Sequence, residues 1–181
     1  IALHNYVENR SNDYYKFMAT TRFAEKAIRI TEGLIAEAMT KAERKDPIYI
    51  AFDEYNVWYR AKGEEGNEEV YNLEDALVVS TFLNIFVRNA HVVKMANMAQ
   101  LVNVIAPIMA EEHGPAWRQT TFYPFAEAAL HARGQAYAPA ISSPTIHTEA
   151  YGDVPAIDAV VTWDEQARTG LLLAVNRDAN T

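Results

Sequence analysis

The run Ile48-Tyr49-Ile50-Ala51-Phe52 narrows the choice of folds more than any other stretch of the chain. It has the length of a strand and does not alternate between apolar and polar residues. A strand with one face in water alternates with a period of two, so an unbroken apolar run marks a strand covered on both faces. Such strands belong to parallel sheets, which need a long crossover, usually a helix, between neighbours. The flanking sequence supplies the crossovers. Residues 14–44 place Phe17, Phe23, Ala27, Ile30, Leu34, Ile35, Ala38 and Met39 roughly three and four apart, which is helical spacing. Ser11–Asp13 can cap this helix and Asp46-Pro47 ends it. Residues 74–89 carry a second apolar stripe, with Leu77, Val78, Phe82, Ile85 and Phe86, and Asn72 or a neighbour can cap it.

Ile1–Val7 and Val92–Met98 read as further strands, and 119–132 as a further helix indented by Pro124. The order is strand, helix, strand, helix, strand, loop, helix, which predicts βαβ units in an α/β fold. Three such units do not close a barrel, which takes eight. Arg60–Glu69 is a charged, glycine-bearing stretch and reads as a solvated loop. Pro107 and Gly114-Pro115 make 100–117 a long loop. From Pro139 the character changes to short segments punctuated by proline, serine and glycine. Ile157–Trp163 and Gly170–Val175 read as antiparallel strands, with 164–169 turning between them. Two strands alone would be marginal, so this reads as the start of an all-β module. The expected division is 1–137 and 138–181. The chain opens without Met inside a strand-like segment and stops just after another, so a piece of a longer chain is expected.

Composition closes several routes. Half of the 181 residues are hydrophobic and 22% are charged, enough for a real core. The net charge of -8 comes without a basic block, so no nucleic-acid partner is expected. No apolar run approaches the ~20 residues of a membrane helix, so no membrane partner is expected either. There is no cysteine, hence no disulfide and no thiol chemistry. His4, His91, His113, His131 and His147 are scattered without HExxH spacing, and neither a GxGxxG, a P-loop nor a GxSxG pattern occurs. No metal and no cofactor are expected.

Glu54 is the first residue to weigh for chemistry. It stands at the C-terminal end of the buried run, the end where parallel α/β folds place their sites. Asp53, Tyr55, Asn56, Trp58 and Tyr59 surround it in sequence. A carboxylate that can attack an anomeric carbon, polar groups for hydroxyls and aromatic faces for a sugar ring are what a carbohydrate site needs. The alternative is that Asp53 and Glu54 merely open a solvated loop. His4 and Tyr6 alternate, so they share one face of their strand, either in the same pocket or as ordinary core residues. Gln100 and Asn103 follow the third strand and could bind hydroxyls or satisfy loop backbone. Trp117, after Gly114-Pro115, is a pocket wall or a lid over the core.

The stretch Phe52-Asp53-Glu54-Tyr55-Asn56-Val57-Trp58-Tyr59 closely resembles the nucleophile motif of family 51 glycoside hydrolases, the α-L-arabinofuranosidases. Other blocks agree in order: Leu3-His4-Asn5-Tyr6-Val7-Glu8-Asn9, Tyr71-Asn72-Leu73-Glu74-Asp75-Ala76-Leu77, Ala99 to Ile108, Gly114 to Phe125, and Ala174-Val175-Asn176-Arg177-Asp178. The resemblance implies strands six to eight of a (β/α)8 barrel followed by the first strands of a jelly-roll β-sandwich. It implies Glu54 as nucleophile of a retaining hydrolase, Tyr6 orienting it and His4 beside it. Gln100 is implied as a sugar contact, Trp58 and Trp117 as pocket wall, and Asn56 joins them as a candidate substrate contact. The family's acid/base glutamate lies on strand four, outside this sequence, so the chain alone is expected to be inactive and to need the N-terminal half of the enzyme as partner. The implied substrate is a terminal arabinofuranosyl unit of an arabinan or arabinoxylan oligosaccharide, the implied assembly a homo-hexamer and the implied location cytoplasmic. The rival readings are another barrel hydrolase, such as a β-glucanase or xylosidase, and a non-catalytic carbohydrate-binding fragment. The 61–70 loop looks short for the family.

Overall fold

A computed structural model of the chain describes residues 1–61 and 68–180. The length expectation for 61–70 falls mostly on residues outside that set. The apolar run forms β2 (Ile50–Val57), the middle strand of a three-stranded sheet. It is flanked by β1 (Ala2–Val7) and β3 (Val93–Met98), and both pairings are parallel. The crossover from β1 to β2 is helical, as periodicity required, but it is two helices rather than one. α1 (Tyr14–Ala19) is capped by Asp13, whose side chain accepts from the Lys16 N–H. It ends at Thr20, whose hydroxyl donates to Phe17 O at 2.7 Å, and α2 (Arg22–Lys41) follows.

The crossover from β2 to β3 is α3 (Leu73–Arg88). Its Asn72 cap is reciprocal: Asn72 Oδ1 accepts from Asp75 N at 3.2 Å and Asp75 Oδ2 accepts from Asn72 N at 2.8 Å. Each bond satisfies a donor that the helix geometry leaves without a partner. Asn72→Ala is expected to cost about 1 kcal/mol, read as a lowered unfolding midpoint in urea.

The core lies between the sheet and α3. Phe52 and Tyr55 of β2 each meet the Phe86 ring at 4.8 Å between centroids, and Tyr55 also meets Phe82 at 5.4 Å. Rings buried this deeply each contribute about 1.5–3 kcal/mol from lost apolar surface. On α2 the buried residues are Ala24, Ile28 and Ile35, whereas Phe23, Ile30 and Leu34 are exposed. The stripe expected from spacing therefore splits, and only part of it faces this core.

Two features differ from the sequence expectation after β3. The stretch 100–117 is not all loop: β4 (Ile108–Ala110) and β5 (Ala116–Arg118) form a small antiparallel hairpin. The last barrel-side helix, α4, spans Phe122–His131. Beyond it, β6 (Gln135–Tyr137), β9 (Ile157–Asp164) and β10 (Thr169–Asn176) form an antiparallel sheet in the order β10-β9-β6. β7 (Thr145–Thr148) and β8 (Gly152–Pro155) pair separately. The third strand is what two strands lacked. The sheet is tied to the βα part by charges. Asp158 of β9 meets Arg177 at 2.8 Å and Arg88 of α3 at 3.2 Å, and it accepts from Asn84 at 2.8 Å.

Candidate active site

In β2, Phe52 and Tyr55 both face the helices, although an odd number of steps separates them. The register explains how. Leu3 pairs with Phe52, but the next residue, His4, pairs with Glu54, so Asp53 is an extra residue in β2. The same offset recurs against β3, where Phe52 pairs with Ala96 and Tyr55 with Met98. This is a β-bulge, which re-aims the side chains beyond it. Strict alternation would have put Glu54 on the helix face with Phe52. The bulge turns it to the opposite face, where His4 and Tyr6 already point. Glu54 thus lies within the strand, not past its end as the sequence suggested.

Three side chains meet there. Tyr6 Oη donates to Glu54 Oε2 at 2.8 Å, and His4 Nδ1 lies 3.8 Å from the same oxygen. The Trp58 ring stands edge-on to Tyr6 at 5.7 Å. The Glu54 side chain is 45% exposed, so the group is held but open to a ligand. Burial, and then the bond and charge of Glu54, push the Tyr6 phenol up to about 12. It therefore keeps its proton throughout the neutral range and remains a donor to the carboxylate.

Not every candidate joins this group. Asn56 is fully buried, and its amide donates to Ala99 O at 2.6 Å and to Ile105 O. It ties the end of β2 to the segment after β3 and presents nothing to a ligand. Gln100 is exposed, follows a cis peptide bond from Ala99, and turns its amide onto Val102 O and Asn103 O at 3.2 and 3.3 Å. Trp117 is exposed on β5, across from Met109 in the hairpin. Asn103 braces that hairpin, donating to Ala110 O at 3.0 Å and accepting from Ala110 N at 2.7 Å.

Sequence reasoning passed over the groups that hold the loops beneath the site. Arg60 pairs with Asp75 at 3.0 Å, and Glu69, read as part of a solvated loop, is fully buried. Gln119 donates to Glu69 O and Ala106 O and accepts from Tyr71 N. The one signal available was Asn72-x-x-Asp75, a capping pattern that places an acid at the root of α3. Among the described residues no group of three or more His, Asp or Glu could hold a metal ion, and no helix is long and apolar enough to cross a membrane.

The arrangement is thus three parallel strands with their crossover helices, a carboxylate aimed off the central strand, and an attached antiparallel sheet. Residues 53–180 match the family described as the α-L-arabinofuranosidase C-terminal domain. The chain belongs to that family. It is 55% identical to an intracellular exo-α-(1→5)-L-arabinofuranosidase of Bifidobacterium longum, over 91% of this chain and 33% of the relative. It is 37% identical to one of Bacillus subtilis, over 98% of this chain and 38% of the relative. The chain thus spans about a third of the length of the curated relatives it matches. Its fold matches a solved family 51 α-L-arabinofuranosidase of Bifidobacterium longum with a TM-score of 0.91 and 54% identity, covering 99% of this chain and 39% of that one. The arabinose complex of the Thermotoga maritima enzyme matches at a TM-score of 0.80 and 25% identity, over 97% of this chain and 38% of that one.

Proposed function

We propose that this chain supplies the nucleophile side of a retaining α-L-arabinofuranosidase, with Glu54 attacking the anomeric carbon. The observation that carries the reading is the Tyr6–Glu54 hydrogen bond of 2.8 Å on a half-open strand face, with His4 at 3.8 Å. A carboxylate held in one orientation by a permanently protonated phenol is suited to in-line attack. Retaining hydrolysis needs a second carboxyl about 5–5.5 Å away, as acid and then base. The resemblance to family 51 implies that this acid/base is a glutamate on barrel strand four, outside this sequence. In this reading the acid/base comes from the N-terminal half of the barrel, and the chain alone is inactive. Support for such a partner comes from the exposed Phe23, Ile30 and Leu34 on α2 and from β1 and β3, each of which pairs on one side only among the described residues. Apolar stripes and parallel edges of this kind are normally covered.

The substrate in this reading is a terminal arabinofuranosyl unit, the (1→5)-linked one that the relatives' names suggest. Trp58 is its wall, and Gln100 and Trp117 approach it once the barrel is closed. The division into 1–137 and 138–181, with β6 reaching back to pair with β9, belongs to the same proposal, as do a hexameric assembly and a cytoplasmic setting. Light scattering of the complete enzyme tests the assembly.

The decisive experiment grafts this chain in place of the matching third of the Bifidobacterium longum relative. Hydrolysis of an aryl α-L-arabinofuranoside by the graft, and none by the chain alone, supports the reading; a folded graft without turnover refutes it. Within the active graft, Tyr6→Phe removes one bond to a charged group, worth about 1.5–3 kcal/mol. The expected result is a fall in kcat/KM of roughly 10- to 100-fold with the unfolding midpoint little changed.

A further inference from the structure

Past Trp58 the chain leaves β2, and its backbone is caught at once. The N–H groups of Tyr59, Arg60 and Ala61 all donate to one oxygen, Oε1 of Glu69, at 2.5, 2.5 and 3.2 Å. Glu69 has no exposed surface. Its second oxygen lies 3.5 Å from Arg60 Nη1, and Arg60 is itself fixed by Asp75 at 3.0 and 3.1 Å. The Glu69 backbone is gripped as well: its N–H donates to Val104 O at 2.7 Å and its carbonyl accepts from Gln119 Nε2 at 3.0 Å. Val104 holds a left-handed φ of 62°, which a β-branched residue adopts only at a cost. Glu69 therefore joins the tail of β2, the approach to α3 and the strained turn after β3.

A buried carboxylate is expensive unless its oxygens are satisfied. A plain loop closure could be made with a neutral side chain. Here a full negative charge meets three successive N–H groups, bonds roughly twice as strong as their neutral counterparts. The position of these three donors gives the contact its specificity. They clamp the residues directly after Trp58, and the Trp58 N–H is still in the ladder with Val7 O at 3.1 Å. Trp58 is thus fixed on both sides, with its ring against Tyr6, which holds Glu54.

We infer that Glu69 is a positioning residue for the reaction: its buried carboxylate sets the backbone after Trp58, and through Trp58 the alignment of Tyr6 and Glu54. The inference rests on the reading of Glu54 as nucleophile. It names a residue of the loop that touches neither the sugar nor the reacting atoms.

The test is a double-mutant cycle in the active graft, reading kcat and KM for an aryl α-L-arabinofuranoside per folded enzyme. Glu69→Gln keeps the acceptor shape and removes the charge. It is expected to lower kcat about tenfold with Trp58 present, and to have little further effect in a Trp58→Ala background. An equal loss in both backgrounds, or no loss in either, overturns the inference, because a merely structural Glu69 does not know whether the indole is there. Should Glu69→Gln fail to fold, Glu69→Asp, which retracts the carboxylate by one methylene, is read in the same two backgrounds. Glu54→Gln separates the two readings. If it leaves turnover intact, the nucleophile assignment fails; if it abolishes turnover while the Glu69 cycle shows no coupling, only the positioning role fails.

Discussion

Glu54→Gln is expected to reduce arabinofuranoside turnover in the complete enzyme by on the order of 10^4-fold or more, with the fold intact. Glutamine keeps the side-chain shape and still accepts from Tyr6 Oη, but an amide cannot form the covalent glycosyl intermediate. The cost to stability is small because the Glu54 side chain is 45% exposed and its charge is not part of a buried pair. Turnover alone does not separate a nucleophile from an acid, so the second arm uses Glu54→Ala with azide. Azide entering the space left by the carboxylate attacks the anomeric carbon from the same face and yields a glycosyl azide of inverted configuration. A product of retained configuration would assign Glu54 to the acid/base role instead and reverse the proposed mechanism.

Asp158→Ala carries the largest expected effect on stability, about 3–5 kcal/mol. Asp158 is 12% exposed and meets two guanidinium groups, Arg177, itself only 7% exposed, at 2.8 Å and Arg88 at 3.2 Å. Burial, helped by the neighbouring Arg88 charge, lowers the Arg177 pKa, and the Asp158 charge and hydrogen bond oppose that shift. Removing the carboxylate leaves both cations short of a partner in a place that water barely reaches. Glu25 stands 3.8 Å from Arg88 and recovers part of that loss only. The measurement is the urea midpoint of the complete enzyme. A shift below about 1 kcal/mol would mean that the pair breaks even against its own desolvation.

Apolar periodicity made the βα order legible, because three parallel strands and their crossovers are built from runs that cannot be solvated. The break at Thr20 was not legible, since no glycine or proline marks it and a threonine hydroxyl bonded to Phe17 O suffices. Spacing also showed that α2 has apolar residues without showing which of them this core takes. Ala24 and Ile28 are buried while Phe23 and Ile30 are not, a choice made by neighbours rather than by the helix.

In the site, strand alternation could say that His4 and Tyr6 share a face and left open that Glu54 joins them; the family resemblance implied it, but neither said how the strand achieves it. That depends on the bulge, which leaves no mark in composition. Asn56 read as a ligand contact because amides bind sugars, yet its donors are taken by Ala99 O and Ile105 O. Glu69 read as solvated because acids in charged stretches usually are. The convergence of three N–H groups on one oxygen, with Arg60 beside the other, makes its burial tolerable.

The extra residue at Asp53 also limits how this strand can change over generations. Substitutions at that position trade one side chain for another, whereas drawing the extra residue into the ladder exchanges the faces of everything beyond it. Deleting Asp53 would remove the bulge and leave Phe52 and Glu54 as ordinary alternating neighbours on their present faces, whereas keeping Asp53 and pairing it in the ladder would turn Glu54 to the helices. In the proposed reading only the second change separates Glu54 from Tyr6 and His4, although the sheet can still pack. A designer who straightened the strand would therefore have to drop the extra residue rather than pair it if Glu54 is to stay beside Tyr6.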